Sequence, residues 1–267
     1  MAKVNLNISA LLPENNRSER IWKLAQVDFK KRYYNDKFGL VWALINPLSR
    51  VLIYWLVFTY LFEKAIEGIE NYALFLFAGI ITWMFFREIC QKSLTILYKK
   101  RYLIENIQVN KIDIFLSNGI SVLIGFLFNL AAFILISLIM GVSYSLKLLL
   151  LPILISNVFI IALGIGMILS SLYIFFKDII HIMDIVFLFG FWSSGIFFRG
   201  KIFLDVFPAF LYLNPFVGII INMRNILIYD SNLDYQLLLI NLISGLIIFF
   251  IGTLLMNKYS KFAYENI

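Results

Sequence analysis

The chain is poor in cysteine, histidine and charge. Among 267 residues there is one cysteine, Cys90, and one histidine, His181. A single thiol excludes an intramolecular disulfide framework. No run of His, Cys, Asp and Glu has metal-ligand spacing, so no cofactor is expected in this chain. There is no G-x-x-x-x-G-K-[ST] loop, which excludes ATP binding through a P-loop here. Only 15% of residues are charged, against about 25% in ordinary soluble domains. The mid-membrane regions hold almost no ionisable residues, although ion-coupled carriers usually need them there. His181 reads as a polar residue at a helix border. Asp178 and Asp184 are the one carboxylate pair that a membrane enzyme could use. The first twenty residues are polar and lack an apolar core, so a cleavable signal peptide is not expected.

What is abundant is apolar surface. Hydrophobic residues make up 61% of the chain, and the mean hydropathy is +0.87. This composition predicts an all-α polytopic membrane protein. Apolar runs place six spans at about 40–62, 72–90, 114–140, 148–176, 182–198 and 237–256. Pro47 falls near the start of the first, where it kinks the helix if that helix begins at Leu40. Gly166 and Ser170 form a small-xxx-small pair suited to close helix contact. Residues 203–213 and 215–228 are apolar but too short to cross. Asn214-Pro215 divides them, since the residue before a proline resists helix. A re-entrant pair is expected, with a single broken span as the alternative.

Ahead of the spans, Ile21, Ala25, Phe29 and Tyr33 recur at i, i+4 and mark one face of an amphipathic helix. Asn16 and Glu19 suit a capping box at its start, and Gly39 suits its stop. Residues 1–39 thus form an arm and an interface helix, and 40–267 the six-helix domain. With the N-terminus inside, 17 of the 23 Lys and Arg fall on inside segments and five outside, with Arg50 in a span. That asymmetry predicts cytoplasmic termini, and it explains the net charge of +7 without nucleic acid. By these residues alone the chain is a transport or scaffold subunit powered from elsewhere, either a basic juxtamembrane anchor or a docking helix leading it.

Several motifs carry a resemblance. They are Asp28-Phe29-Lys30-Lys31-Arg32-Tyr33, Phe38-Gly39-Leu40-Val41-Trp42, Asn46-Pro47, Gly79 with Trp83 and Phe85-Phe86, and Phe176-Lys177-Asp178-Ile179. Trp192-Ser193-Ser194-Gly195-Ile196 and Asn214-Pro215 with Arg224 complete the set. In this order they resemble the membrane subunit of ABC-2 type polysaccharide exporters. The chain departs from that pattern with Phe38 for leucine, Lys177 for arginine, and no proline between Ser194 and Ile196.

The resemblance implies a homodimer around a conduit, with two copies of a separate ABC ATPase below that bind ATP and Mg. It implies a glycan on a polyprenyl diphosphate as cargo, in the bacterial cytoplasmic (inner) membrane. Phe29, Arg32 and Tyr33, the loop residues Lys99, Lys100 and Arg101, and the break at Lys177 and Asp178 would meet the ATPase. Asn214, Pro215 and Arg224 would belong to a gate at the outer mouth. Sugar faces stack on aromatic rings, which nominates Tyr54, Trp55, Phe58, Trp83, Phe86 and Trp192 as conduit lining. Arg50, like Arg32, would meet the diphosphate or snorkel to lipid headgroups. Readings as a small-lipid or drug exporter, a membrane enzyme of lipid-linked sugar metabolism, or an autonomous channel or carrier stay open.

Overall fold

A computed structural model describes residues 16–33, 38–61, 69, 71–107, 109–199, 209–260 and 262. Among these residues the chain is helical, without strands. The helices are α1 (Arg17–Tyr33), α2 (Trp42–Leu61), α3 (Tyr72–Leu94), α4 (Ile96–Lys99), α5 (Arg101–Glu105) and α6 (Lys111–Ile139). They continue as α7 (Leu151–Phe175), α8 (Ile179–Ser193), α9 (Phe210–Leu213), α10 (Pro215–Leu227) and α11 (Tyr235–Tyr259).

Local chemistry sets most of the starts. Asn16 Oδ1 accepts the Glu19 amide at 3.3 Å, which caps α1. The Glu19 carboxylate lies 2.9 Å from Lys23. Asn110 Oδ1 caps α6 by accepting the Ile112 amide, and Asp234 Oδ1 caps α11 by accepting that of Leu237. Pro152 sits in the first turn of α7, where a missing N–H costs nothing. The described part of α1 runs to Tyr33, and residues 34–37, between it and the expected stop at Gly39, lie outside the described residues. At φ 48° Gly39 turns the chain into α2 through a 3-10 turn at Gly39–Val41. That left-handed conformation is one glycine adopts without steric cost.

Among the described residues, four segments are long and apolar enough to cross a membrane: α3, α6, Leu146–Phe175 and α11. The chain is therefore a multi-pass membrane protein. α2 runs through Pro47 for 20 residues. α8 starts at Ile179 and ends at Ser193, short of the expected 182–198 run, because Gly195 adopts φ 80° and turns the chain.

α3 is the central helix and packs on α2, α6, α7, α8 and α10. α7 and α11 make the closest pairing, backbone against backbone. A Cβ on Gly252 would stand 2.5 Å from the Gly164 carbonyl oxygen, and one on Gly164 would stand 2.6 Å from the Phe249 nitrogen. Small residues permit this approach where lipid offers no hydrophobic drive. Gly166 plays the expected part between α7 and α3, since a Cβ there would meet Ser93 at 2.6 Å. The other side of α11 exposes Leu239, Ile243, Leu246, Phe250 and Leu254, a stripe suited to lipid.

Candidate functional site

The antiparallel helices give the molecule two polar ends. One end gathers α1, α4, α5, the starts of α6 and α8, and the ends of α3, α7 and α11. Here α1 is clamped to the bundle. The Asp113 side chain, with no exposed surface, lies 2.7 Å from Arg17 and 3.1 Å from Arg20. The hydrogen bond that Arg17 donates to Asp113, and then the charge of that carboxylate, raise the Arg17 guanidinium above its ordinary pKa. Asp28 pairs with Lys100, which ties α1 to the α4–α5 hairpin. Phe29 is buried and stacks on Phe128 of α6, with ring centroids 6.1 Å apart.

Phe29 thus faces the bundle, and the outward side of α1 is Ser18, Trp22, Gln26 and Lys30. The side chains of Arg32 and Tyr33 lie outside the described residues. Lys99 is exposed, and Arg101 lies 2.7 Å from Glu105 on its own helix. The polar loop between α3 and α6 carries the two short helices α4 and α5. The Lys177 break comes up against them, with the Lys177 ammonium 5.9 Å from the centre of the Tyr98 ring. Asp178 beside it is exposed. Asp184 accepts from Gln91 at 3.2 Å. Asp184 lies six positions after Asp178, about 120° from it round a helix, so the two carboxylates point to different sides.

At the opposite end, four segments singled out in the sequence meet. The turn after α8 leaves helix-end carbonyls that need donors. Side chains supply them. Asn214 Nδ2 donates to Ser193 O at 3.2 Å, and Tyr72 Oη donates to Phe197 O at 3.3 Å. Arg224 supplies the rest. Its Nη1 donates to Gly195 O at 2.8 Å and its Nη2 to Ile196 O at 2.6 Å, while Nε and Nη2 both reach Phe75 O. The guanidinium also lies 3.3 Å above the Phe75 ring. Gly79 leaves it room, since a Cβ there would stand 3.0 Å from Nη2. Asn214 Oδ1 accepts from the Phe216 amide and starts α10 with Pro215 in its first turn. Asn222 exchanges two hydrogen bonds with the Asp234 backbone, which fixes α10 to the start of α11. A cavity of about 230 Å³ opens beside these groups, lined by Asn71, Ser143, Tyr229 and Asp230 among others.

The aromatic candidates separate by position. Trp83 and Phe86 are buried in a cluster with Phe187, Phe191 and Phe216, with Phe86 and Phe216 centroids 4.1 Å apart. Trp192 is half exposed and stacks on Phe197 at 4.6 Å. Arg50, Tyr54, Trp55 and Phe58 are on α2, and their side chains lie outside the described residues. Residues 203–208 of the first short apolar run also lie outside them.

The sequence reading missed Asp113, Arg17, Arg20 and the Asp28–Lys100 pair. A lone acid in the first turn of an apolar helix, opposite two arginines at i, i+3 spacing, was the available signal.

The chain is thus an all-helical membrane protein in which α1 is clamped to the bundle and two short helices precede the last long one. The chain belongs to the ABC-2 type transporter family, whose model matches residues 19–228. It is similar to an O-antigen export system permease protein RfbA from Klebsiella pneumoniae, 27% identical over 241 residues, 90% of this chain and 91% of that one. A protein of the same name from Myxococcus xanthus is 22% identical over 205 residues, 76% of this chain and 78% of its own.

Proposed function

We propose that the chain is the permease subunit of an exporter that carries a polyprenyl-diphosphate-linked polysaccharide such as O-antigen across the bacterial cytoplasmic membrane. The observation that carries this is the similarity to O-antigen export permeases over nine-tenths of the chain. Two copies surround the conduit, each crossing six times with both termini cytoplasmic, and two ABC ATPase subunits supply ATP hydrolysis with their own Mg. The juxtaposed α4–α5 hairpin and Lys177 break, together with the outward face of α1, form the ATPase contact. Asn214, Pro215 and Arg224 serve the outer gate in the short α9–α10 pair. Trp192 contributes to the glycan path, with Arg50, Tyr54, Trp55 and Phe58 of α2 as its further candidates, and Trp83 and Phe86 stiffen the wall behind it.

The test is co-purification of the detergent-solubilised protein followed by ATPase assay of what accompanies it. A stoichiometric ATPase, lost when Lys99 and Lys177 are both changed to Glu, supports the reading. Absence of a partner, with solute flux from the chain alone in liposomes, overturns it. Trp192→Ala should lower polymer export while assembly persists, and unchanged export removes it from the lining.

A further inference from the structure

The gate reading leaves open what keeps α9–α10 seated, and one side chain stands out. Arg224 is buried, at 3% exposed, and among the described residues no carboxylate lies within ion-pair distance. A buried cation without an acid is costly unless its donors are all used. Here all three guanidine nitrogens donate, and every acceptor is a backbone carbonyl on another segment. Phe75 belongs to α3, while Gly195 and Ile196 belong to the turn after α8. The cation therefore holds three segments at one point. These carbonyls gain the guanidinium only while α10 is seated.

We propose that Arg224 is the latch of the α9–α10 pair, a positioning residue whose bonds to the Phe75, Gly195 and Ile196 carbonyls hold this mouth shut. Opening exchanges those bonds for water that enters as the mouth widens, so the latch works only at a site that alternates between dry and wet. Gly79 is its counterpart on α3. Any side chain there presses on Nη2 and biases the latch toward release without removing a donor. Phe216 in the aromatic cluster forms the far end of the same seated face. Ile220, one turn before Arg224, lies between them and is 1% exposed. This inference rests on the gate reading, and it concerns the chain by itself.

The experiment uses the full chain in nanodiscs, with Ile220→Cys as reporter and a water-soluble maleimide as probe. Cys90, fully buried against the Ala162 carbonyl, reports global unfolding in the same sample. In the Ile220→Cys background, Arg224→Gln and Gly79→Ala should each label position 220 at least about tenfold faster. Cys90 should stay unlabelled. Arg224→Lys, with one nitrogen in place of three, should fall between. A rate at position 220 within about twofold of the parent overturns the latch, as does labelling of Cys90 in step with it. Where Arg224→Gln does not accumulate, Gly79→Ala decides by the same criteria. Neither glycan nor ATPase enters the assay, so a missing ATPase partner overturns the exporter reading and leaves this result to stand by itself.

Discussion

Replacing Asp113 with Asn tests how α1 is held. The carboxylate has no exposed surface, Arg20 is 21% exposed and Arg17 is 59% exposed. Breaking a fully buried ion pair by removing one partner costs about 3–5 kcal/mol. Arg17 is largely in water and adds little, and Arg20 is partly screened, which brings the loss to about 2 kcal/mol. Burial of Leu24, Ala25 and Phe29 is untouched, so α1 stays docked and opens more often. At about 1.4 kcal/mol per factor of ten, its protected amides should exchange roughly thirtyfold faster. Hydrogen exchange on the wild-type and variant chains reads this directly, with the amides of α3 as internal control. Exchange in residues 20–30 within about threefold of wild type refutes the claim that this carboxylate clamps the helix. Equal acceleration in α3 refutes the claim that the clamp is local.

Other perturbations follow from the packing. Gly252→Ala forces α7 and α11 apart at the Gly164 carbonyl, and overpacking of this kind costs about 1–3 kcal/mol, read as a lower thermal midpoint in detergent. Asn157 is buried in α7 with both amide atoms unpartnered among the described residues. Asn157→Leu should therefore raise that midpoint, and a fall shows the amide has a partner worth keeping. Tyr144 has its pKa raised by burial, against a smaller opposing effect of its hydrogen bond with Ser137. A raised folded pKa means its contribution is fully present below the unfolded value of about 10 and is lost as pH rises through the folded one. Tyr144→Phe should flatten the alkaline limb of a stability–pH curve, and an unchanged limb rejects the assignment.

The helices were legible because long apolar runs leave little choice in a bilayer. Asn214-Pro215 marked the break before α10. Contacts between distant residues were not legible. Nothing in the sequence says that Arg224 reaches a carbonyl 149 positions away; residue type identified the donor, but backbone acceptors carry no residue signature. The amphipathic pattern found the buried face of α1 but not what covers it, so Phe29 read as a docking residue while its ring stacks on Phe128. Trp83 and Trp192 are alike in composition. Only the fold sends the first into the core and the second to the surface.

The shortness of α8 has a physical consequence for the lipid around it. In the proposed six-span topology α8 crosses the membrane, and its fifteen residues rise about 22 Å, against roughly 30 Å of hydrocarbon in a typical bilayer. The deficit falls at the turn whose carbonyls Asn214, Arg224 and Tyr72 satisfy, the only kind of coil that tolerates hydrocarbon depth. Beside α8 the membrane must thin or the helix must ride low, at a cost that grows with each ångström of mismatch. Acyl-chain length thereby becomes a control variable for this protein: short-chain lipids favour the seated turn, and long-chain lipids strain it.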